Sequence, residues 1–234
     1  MSNRRSTKTI DLSHRFAMAI ALGIAVICVL AAGCTVPRGS QLTPIPGLVV
    51  VDAAPQVAGY DRSCKKGRGC VFGQSWSDDA DAQFGHDGCD TRNNILQRDL
   101  RDVKIVKSAK NCKVQSGILS DPFSGEVVHF DRGDPQEVQI DHVFPLAVAW
   151  ERGASAWELD VRRTFANDPR NLLAVSKATN QAKGAKMPTN WVPETMSGKC
   201  VYARTVIDVA RKYQLILTWA EVMVLRELED SNCG

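Results

Sequence analysis

Six cysteines, Cys64, Cys70, Cys89, Cys112, Cys200 and Cys233, constrain the fold of this chain more than any other feature. They lie behind a leader in which Arg4, Arg5, Lys8 and Arg15 precede an apolar run, Phe16 to Gly33. A basic flank before an apolar stretch directs export of the downstream chain. In an exported chain an even set of cysteines reads as disulfides. Cys28 and Cys34 are set apart, one inside the apolar run and one at its end. Zinc is the competing use of cysteine. No C-x2-C pair is present, and the histidines are scattered at positions 14, 86, 129 and 142, which disfavours a zinc–cysteine site. Closeness in sequence favours Cys64–Cys70; the other four remain open on spacing alone.

A chain of 234 residues suits one domain with a tail. Residues 1–33 read as the leader, 34–60 as a tether and 61–234 as the folded domain. Leu30-Ala-Ala-Gly-Cys34 resembles the lipobox of bacterial lipoproteins, which implies Cys34 as the lipidated first residue of the mature chain. The alternative is an uncleaved apolar anchor, since the run has nearly the length needed to span a bilayer. Either way the domain is expected on the outer face of a bacterial membrane or in the envelope. The tether, TVPRGSQLTPIPGLVVVDAAPQVAGY, carries Pro and Gly and little charge. Its LVVV segment could add an edge strand.

The net charge of +3 misleads. Residues 1–33 hold four Lys or Arg and one Asp, so the rest carries 25 residues of each sign. Attraction for a polyanion must then come from a local patch rather than an overall field.

Hydrophobic periodicity predicts a helix over 90–102, with Ile95, Leu96 and Leu100 between charges. Short strands are predicted over 103–106, 112–119, 126–130 and 138–140, with Asp121-Pro-Phe-Ser-Gly125 and Gly133-Asp-Pro135 as turns. Further helices are expected over 146–152, 156–165, 177–183, 202–213 and 218–229. Thr218 and Glu221 stand at capping-box spacing. The class is α+β, with short strands, additional C-terminal helices and disulfide stabilisation.

The chemistry concentrates between Ile140 and Lys186: IDHVFPLAVAW, then FANDPRNLLAVSKATNQAKGAK. Asp141 and His142 stand side by side at the end of a short β-type run. Asn171 and Asn180 come next, then Lys183 and Lys186 flanking Gly184. A carboxylate beside an imidazole, with an amide oxygen returned to them, can hold one hard cation and one general base. Phosphodiester hydrolysis uses both. Side chains of strand neighbours point to opposite faces, so a bend before Pro145 is expected to bring Asp141 and His142 to one site.

DHVFPL followed by N-x8-N-x2-KG resembles the HNH, or ββα-metal, endonuclease motif. The wider pattern resembles a secreted or restriction-type bacterial branch, the GmrSD-type family. It includes CDTRNNILQRDL at Cys89–Leu100, SGILSDPFSGEVVHFDRG at Ser116–Gly133 and NWVP at Asn190–Pro193. The likeness runs from about Asp61 to the C-terminus. It implies a ββα-metal core and an HNH-type phosphodiester hydrolase. His142 would be the general base, Asp141 and Asn180 the metal ligands, and Asn171 a catalytic residue acting as a positioner. It also suggests the Cys89–Cys112 pairing, which leaves Cys200–Cys233 to pin the C-terminal helices together.

Two oxygen ligands plus water and phosphate suit one divalent metal, magnesium or manganese in preference to zinc. Many HNH proteins carry histidine where Asn180 stands, which further disfavours zinc here. Lys183, one helical turn after Asn180, and Lys186 are candidate phosphate contacts, against a solvated helix end. Arg92 is a candidate for the scissile phosphate, since Arg pairs phosphate oxygens bidentately. Asp90 and Thr91 read as a helix cap. Trp150, Trp157, Trp191 and Trp219 read as packing residues, and His86 as surface. The expected activity is endonucleolytic cleavage of DNA, with RNA second. The partners implied are nucleic acid and, through a lipid anchor or the apolar segment, a membrane; no protein partner is implied. The alternative is a non-catalytic envelope lipoprotein that uses an HNH fold for binding.

Overall fold

The computed structural model describes residues 45–107 and 111–234. The expected leader, Cys34 and the first part of the expected tether lie outside the described residues. Among those described, no helix is long and apolar enough to cross a membrane.

Within the described residues, seven strands form three small sheets, consistent with the α+β class. Strand β1 (Val49–Val51) pairs parallel with β7 (Ile216–Thr218), Val50 opposite Leu217. Ile45, Leu48 and Val50 also pack on the main core. The stretch expected as tether therefore joins the fold well ahead of residue 61. Its LVVV segment forms the edge strand expected of it, and Leu48 and Val50 partly bury apolar side chains that a free tether would leave in water.

Helix α1 (Thr91–Asp99) is capped by Asp90, whose carboxylate accepts from Asn93 N–H at 2.8 Å. It leads into an antiparallel sheet of β2 (Arg101–Ile105), β3 (Val114–Ser120) and β4 (Val127–Asp131). Strand β5 (Val138–His142) then pairs antiparallel with β6 (Leu172–Ser176), Asp141 opposite Leu173. Between them lie α2 (Leu146–Glu151) and α3 (Leu159–Asn167). Helix α3 starts at Leu159 rather than residue 156, because Trp157 and Glu158 are extended and a 3-10 turn occupies Ala154–Ala156.

Helix α4 (Lys177–Lys183) comes directly after β6, its start capped by Ser176, which accepts from Thr179 N–H. It stops at Gly184, whose φ of 53° and ψ of −130° suit glycine alone. Helices α5 (Met196–Tyr213) and α6 (Trp219–Asn232) complete the chain. The capping box at Thr218 and Glu221 forms, and Glu221 also pairs with buried Arg152 at 2.9 Å.

The β5–β6 pair divides two cores. Val138, Ile140, Leu172 and Ala174 face α1 and the three-stranded sheet. Val175 belongs to the larger core, built on Phe144, Phe165, Tyr202, Val206, Leu217 and Leu225. Strand alternation does this sorting: even positions of β5 turn to one core, while Gln139 and Asp141 turn to α4.

The described residues hold the disulfides Cys64–Cys70, Cys89–Cys112 and Cys200–Cys233. The last joins α5 to the residue after α6. Cys200→Ser/Cys233→Ser should lower the unfolding free energy by about 2–4 kcal/mol. An unchanged urea midpoint would mean that packing alone holds the two helices.

Candidate active site

Asp141, His142 and Asn180 border one cavity of about 280 Å³, together with Tyr60, Arg62 and Gln181. Strand β5 continues through His142, and the bend expected before Pro145 follows directly, at Val143 and Phe144. Asp141 faces α4, while His142 faces Trp76 and Ala166 of α3, yet both reach the cavity because the strand ends there.

His142 is almost fully buried. Its Nε2 lies 2.8 Å from Ala166 O, and the ring stacks on Trp76 at 5.9 Å between centroids. A carbonyl oxygen can only accept, so Nε2 carries the proton and Nδ1 keeps its lone pair in the neutral ring. Burial pushes the pKa down to about 3; the Ala166 carbonyl opposes this, and Arg62 and Lys183 add to it. The imidazole is therefore neutral at physiological pH, with one nitrogen available as a base.

Asp141 sits on the other side of the strand, 4 % exposed. Its Oδ1 accepts from Lys183 Nζ at 2.9 Å, while Oδ2 is buried without a hydrogen-bond partner. Burial raises the carboxyl pKa, and the Lys183 ammonium opposes that rise. Lys183 is completely buried, and it also donates to His142 O at 2.9 Å. It is neither a phosphate contact nor a solvated helix end. Its place one turn after Asn180 points it at β5, and the cation is spent on Asp141.

Asn180 Nδ2 donates to Gln139 Oε1 at 2.6 Å, with no donor to its Oδ1 among the described residues. Asn171 is buried and grips Phe144 twice. Its Oδ1 accepts from Phe144 N–H at 2.7 Å, and its Nδ2 donates to Phe144 O at 3.0 Å. The chain just beyond His142 is thereby locked to the turn before β6. That turn is anchored by Asp168, which accepts from Arg170 N–H, Lys212 Nζ and Tyr213 Oη.

The other candidates lie elsewhere. Lys186 is exposed, outside the cavity wall, and donates to Ala182 O at 2.8 Å. Arg92 Nη2 donates to Pro135 O and Val138 O, tying α1 to the start of β5. It lines a separate cleft with Trp76, Asp90 and Arg132. Tethered to carbonyls there, it does not reach the Asp141–His142 cavity. Two residues at the site carry no motif: Trp76, in a loop without periodicity, and Arg62, at the edge of the expected tether. Arg62's only signal is the basic run just after it. His86 is exposed, as expected of a surface residue.

Residues 90–221 match the model of the GmrSD restriction endonuclease C-terminal domain. The chain belongs to this family, and so to a group of nuclease-related domains. It is also 38% identical over 142 residues to an uncharacterized secreted protein of Arthroderma benhamiae (strain ATCC MYA-4681 / CBS 112371). That match covers 60% of this chain and 66% of the relative. No solved structure matches. A secreted relative and three disulfides fit an oxidising, exported setting.

The buried ion pair can be tested by removing one partner and then both. Lys183→Met should destabilise the fold by about 3–5 kcal/mol, because it strands a buried carboxylate. Lys183→Met/Asp141→Leu should recover much of that loss; urea denaturation of both variants decides. Asp168 gives an acid-dependent counterpart. Burial alone would raise its carboxyl pKa, but its partners Lys212, Arg170 N–H and Tyr213 hold it below the usual range. Its contribution is then present above the unfolded value of about 4 and lost as pH falls through the lowered one. Asp168→Asn should be less stable at neutral pH and lose less stability between about pH 4 and 2. A parallel acid-unfolding curve would contradict this.

Proposed function

We propose that this protein is an exported, metal-dependent endonuclease of HNH type, cutting phosphodiester bonds in DNA in preference to RNA. The observation that carries the reading is the meeting of Asp141, His142 and Asn180 at one cavity, with a base nitrogen and two oxygens left unengaged. Two antiparallel strands followed by a short helix, β5–β6–α4, support a ββα-metal core.

In this reading His142 Nδ1 takes a proton from the attacking water. The Nε2–H bond to Ala166 O holds the ring at the correct tautomer and angle, and Trp76 limits its rotation. Asn171 does not touch substrate; through Phe144 it sets the path of the backbone next to the base. The donor set fits a hard divalent ion. Asp141 Oδ2 and Asn180 Oδ1 would hold magnesium or manganese, with water and phosphate completing the shell. The ion would offset charge on the phosphate and the leaving oxygen. Lys183 fixes which carboxylate oxygen is offered, and it also tempers the site's negative charge. Metal affinity is therefore expected to be modest. Arg62, exposed on the cavity wall, is placed to meet a phosphate oxygen.

A second reading, a binding module without catalysis, draws on the same Lys183 ammonium, which already neutralises Asp141. Nicking of supercoiled plasmid by the full chain, in magnesium, manganese, zinc or EDTA, separates the two. His142→Ala should lower the rate by about 10²–10⁴-fold while leaving metal affinity intact. Activity within threefold of the parent would remove His142 from the chemistry. Asp141→Ala and Asn180→Ala should instead weaken metal affinity in calorimetry, with cleavage partly restored by excess manganese. Asn171→Ala should slow cleavage with little change in that affinity.

A further inference from the structure

Beyond residue 33 the chain is charge-balanced, so any grip of that part on a polyanion has to be local. The segment from Asp61 to Val71 gathers positive charge, and its Arg62 reaches the cavity wall. It folds back on itself: Cys70 N–H donates to Ser63 O and Val71 N–H to Asp61 O, each at 3.0 Å. The Cys64–Cys70 disulfide closes the turn, and Gly67, at φ +79° with open space around it, takes it round. Within it stand Arg62, Lys65, Lys66 and Arg68 against the single carboxylate of Asp61.

Arg68 and Asp61 answer each other at 2.9 Å. Asp61 also accepts from the N–H groups of Ser63 and Gly69, so its oxygens are occupied. Arg62, Lys65 and Lys66 are exposed, and none forms an ion pair among the described residues. Arg62 borders the cavity at Asp141 and His142, and also the adjoining cleft at Trp76 and Gln74. The turn lies outside the residues that match the family model.

We propose that the disulfide-closed turn 61–71 is a phosphate-backbone clamp. Arg62, Lys65 and Lys66 would hold the nucleic-acid strand where it leaves the Asp141–His142 cavity. The proposal rests on the reading of that cavity as a nuclease site. Three cations so close in sequence repel one another and would spread apart on an open loop. The disulfide and the backbone bonds hold them together before substrate arrives, so less ordering is needed on binding. An anionic membrane would also attract three cations. Arg62 favours nucleic acid, because it places the charge at the cavity wall rather than on a remote face.

The test uses the full chain carrying His142→Ala, to stop cleavage, with and without Arg62→Ala/Lys65→Ala/Lys66→Ala. Fluorescence anisotropy with a labelled single strand and its duplex gives affinity against salt. The triple substitution should weaken binding by roughly tenfold or more. It should also make the log–log salt slope shallower by about two to three, one for each phosphate no longer neutralised. Comparing strand with duplex tells which form the clamp holds. Equal affinity and slope in the two proteins, while the unsubstituted chain nicks plasmid, would overturn the clamp and leave the nuclease reading standing. If the unsubstituted chain neither binds nor nicks, both fall. Loss of binding to anionic phospholipid vesicles alone would reassign the turn to a membrane and overturn the clamp.

Discussion

The buried pair between Lys183 and Asp141 sets the terms for the rest of the site. Removing two charges from water costs several kcal/mol per ion, and a single contact seldom offsets it. Here the ammonium also meets His142 O, so two acceptors on adjacent residues of β5 share it. Helix α4 is too short to hold its place by propensity. The ion pair and the Asn180–Gln139 bond pin it across the strand, and Gly184 ends it before it can run on. Asp141 is left with one oxygen engaged and one unengaged. An unsatisfied buried carboxylate oxygen is a poor choice for stability alone. Its retention beside a cavity is why Asp141 reads as part of a site rather than as ordinary structure.

On the other face of the strand the logic is different. His142 is held by a carbonyl, an aromatic face and a buried wall, with no carboxylate to orient it among the described residues. Its environment disfavours the protonated ring, and the nearby cations Arg62 and Lys183 push the same way. Under the proposed function, the negative charge of a phosphodiester would offset them. Precision comes from behind: Asp168 ties the turn before β6 to the end of α5, and Asn171 carries that rigidity to Phe144. A rigid scaffold of this kind is what positions reacting groups within a few tenths of an ångström.

The residues that sequence makes legible are those whose spacing is itself the geometry. Asp141, His142 and Asn180 come together because a strand pair and one helical turn bring them there, and Asn171 grips the intervening loop. The Thr218–Glu221 box is readable for the same reason. Lys183 is readable as a position and not as a partner. Its spacing from Asn180 places it on the same face, but only the packing of α4 on β5 shows that this face is inward. Strand β6 is hidden in the sequence because LLAVS is short and almost wholly apolar, without alternation to mark it. Strands β1 and β7 have three residues each and exist by pairing with each other across most of the described chain. Trp76 and Arg62 reach the site through loops whose course depends on disulfides and left-handed residues, which no periodicity encodes.

Charge balance gives the site its last constraint. At physiological ionic strength the Debye length is about 8 Å, so exposed cations act only over roughly the width of the cavity. Residues 34–234 carry no net charge and cannot draw a polyanion from afar; they must grip locally. Lys183 cannot contribute to that grip, because its charge is neutralised at Asp141. Arg92 is engaged by carbonyls in another cleft. Beside the cavity stand Arg62 and the basic turn behind it, in a segment that precedes the family-matched region. Catalytic geometry and substrate grip would then come from different parts of the chain. The first is built into the strand-and-helix frame, and the second is carried on a disulfide-closed loop that can vary without disturbing it.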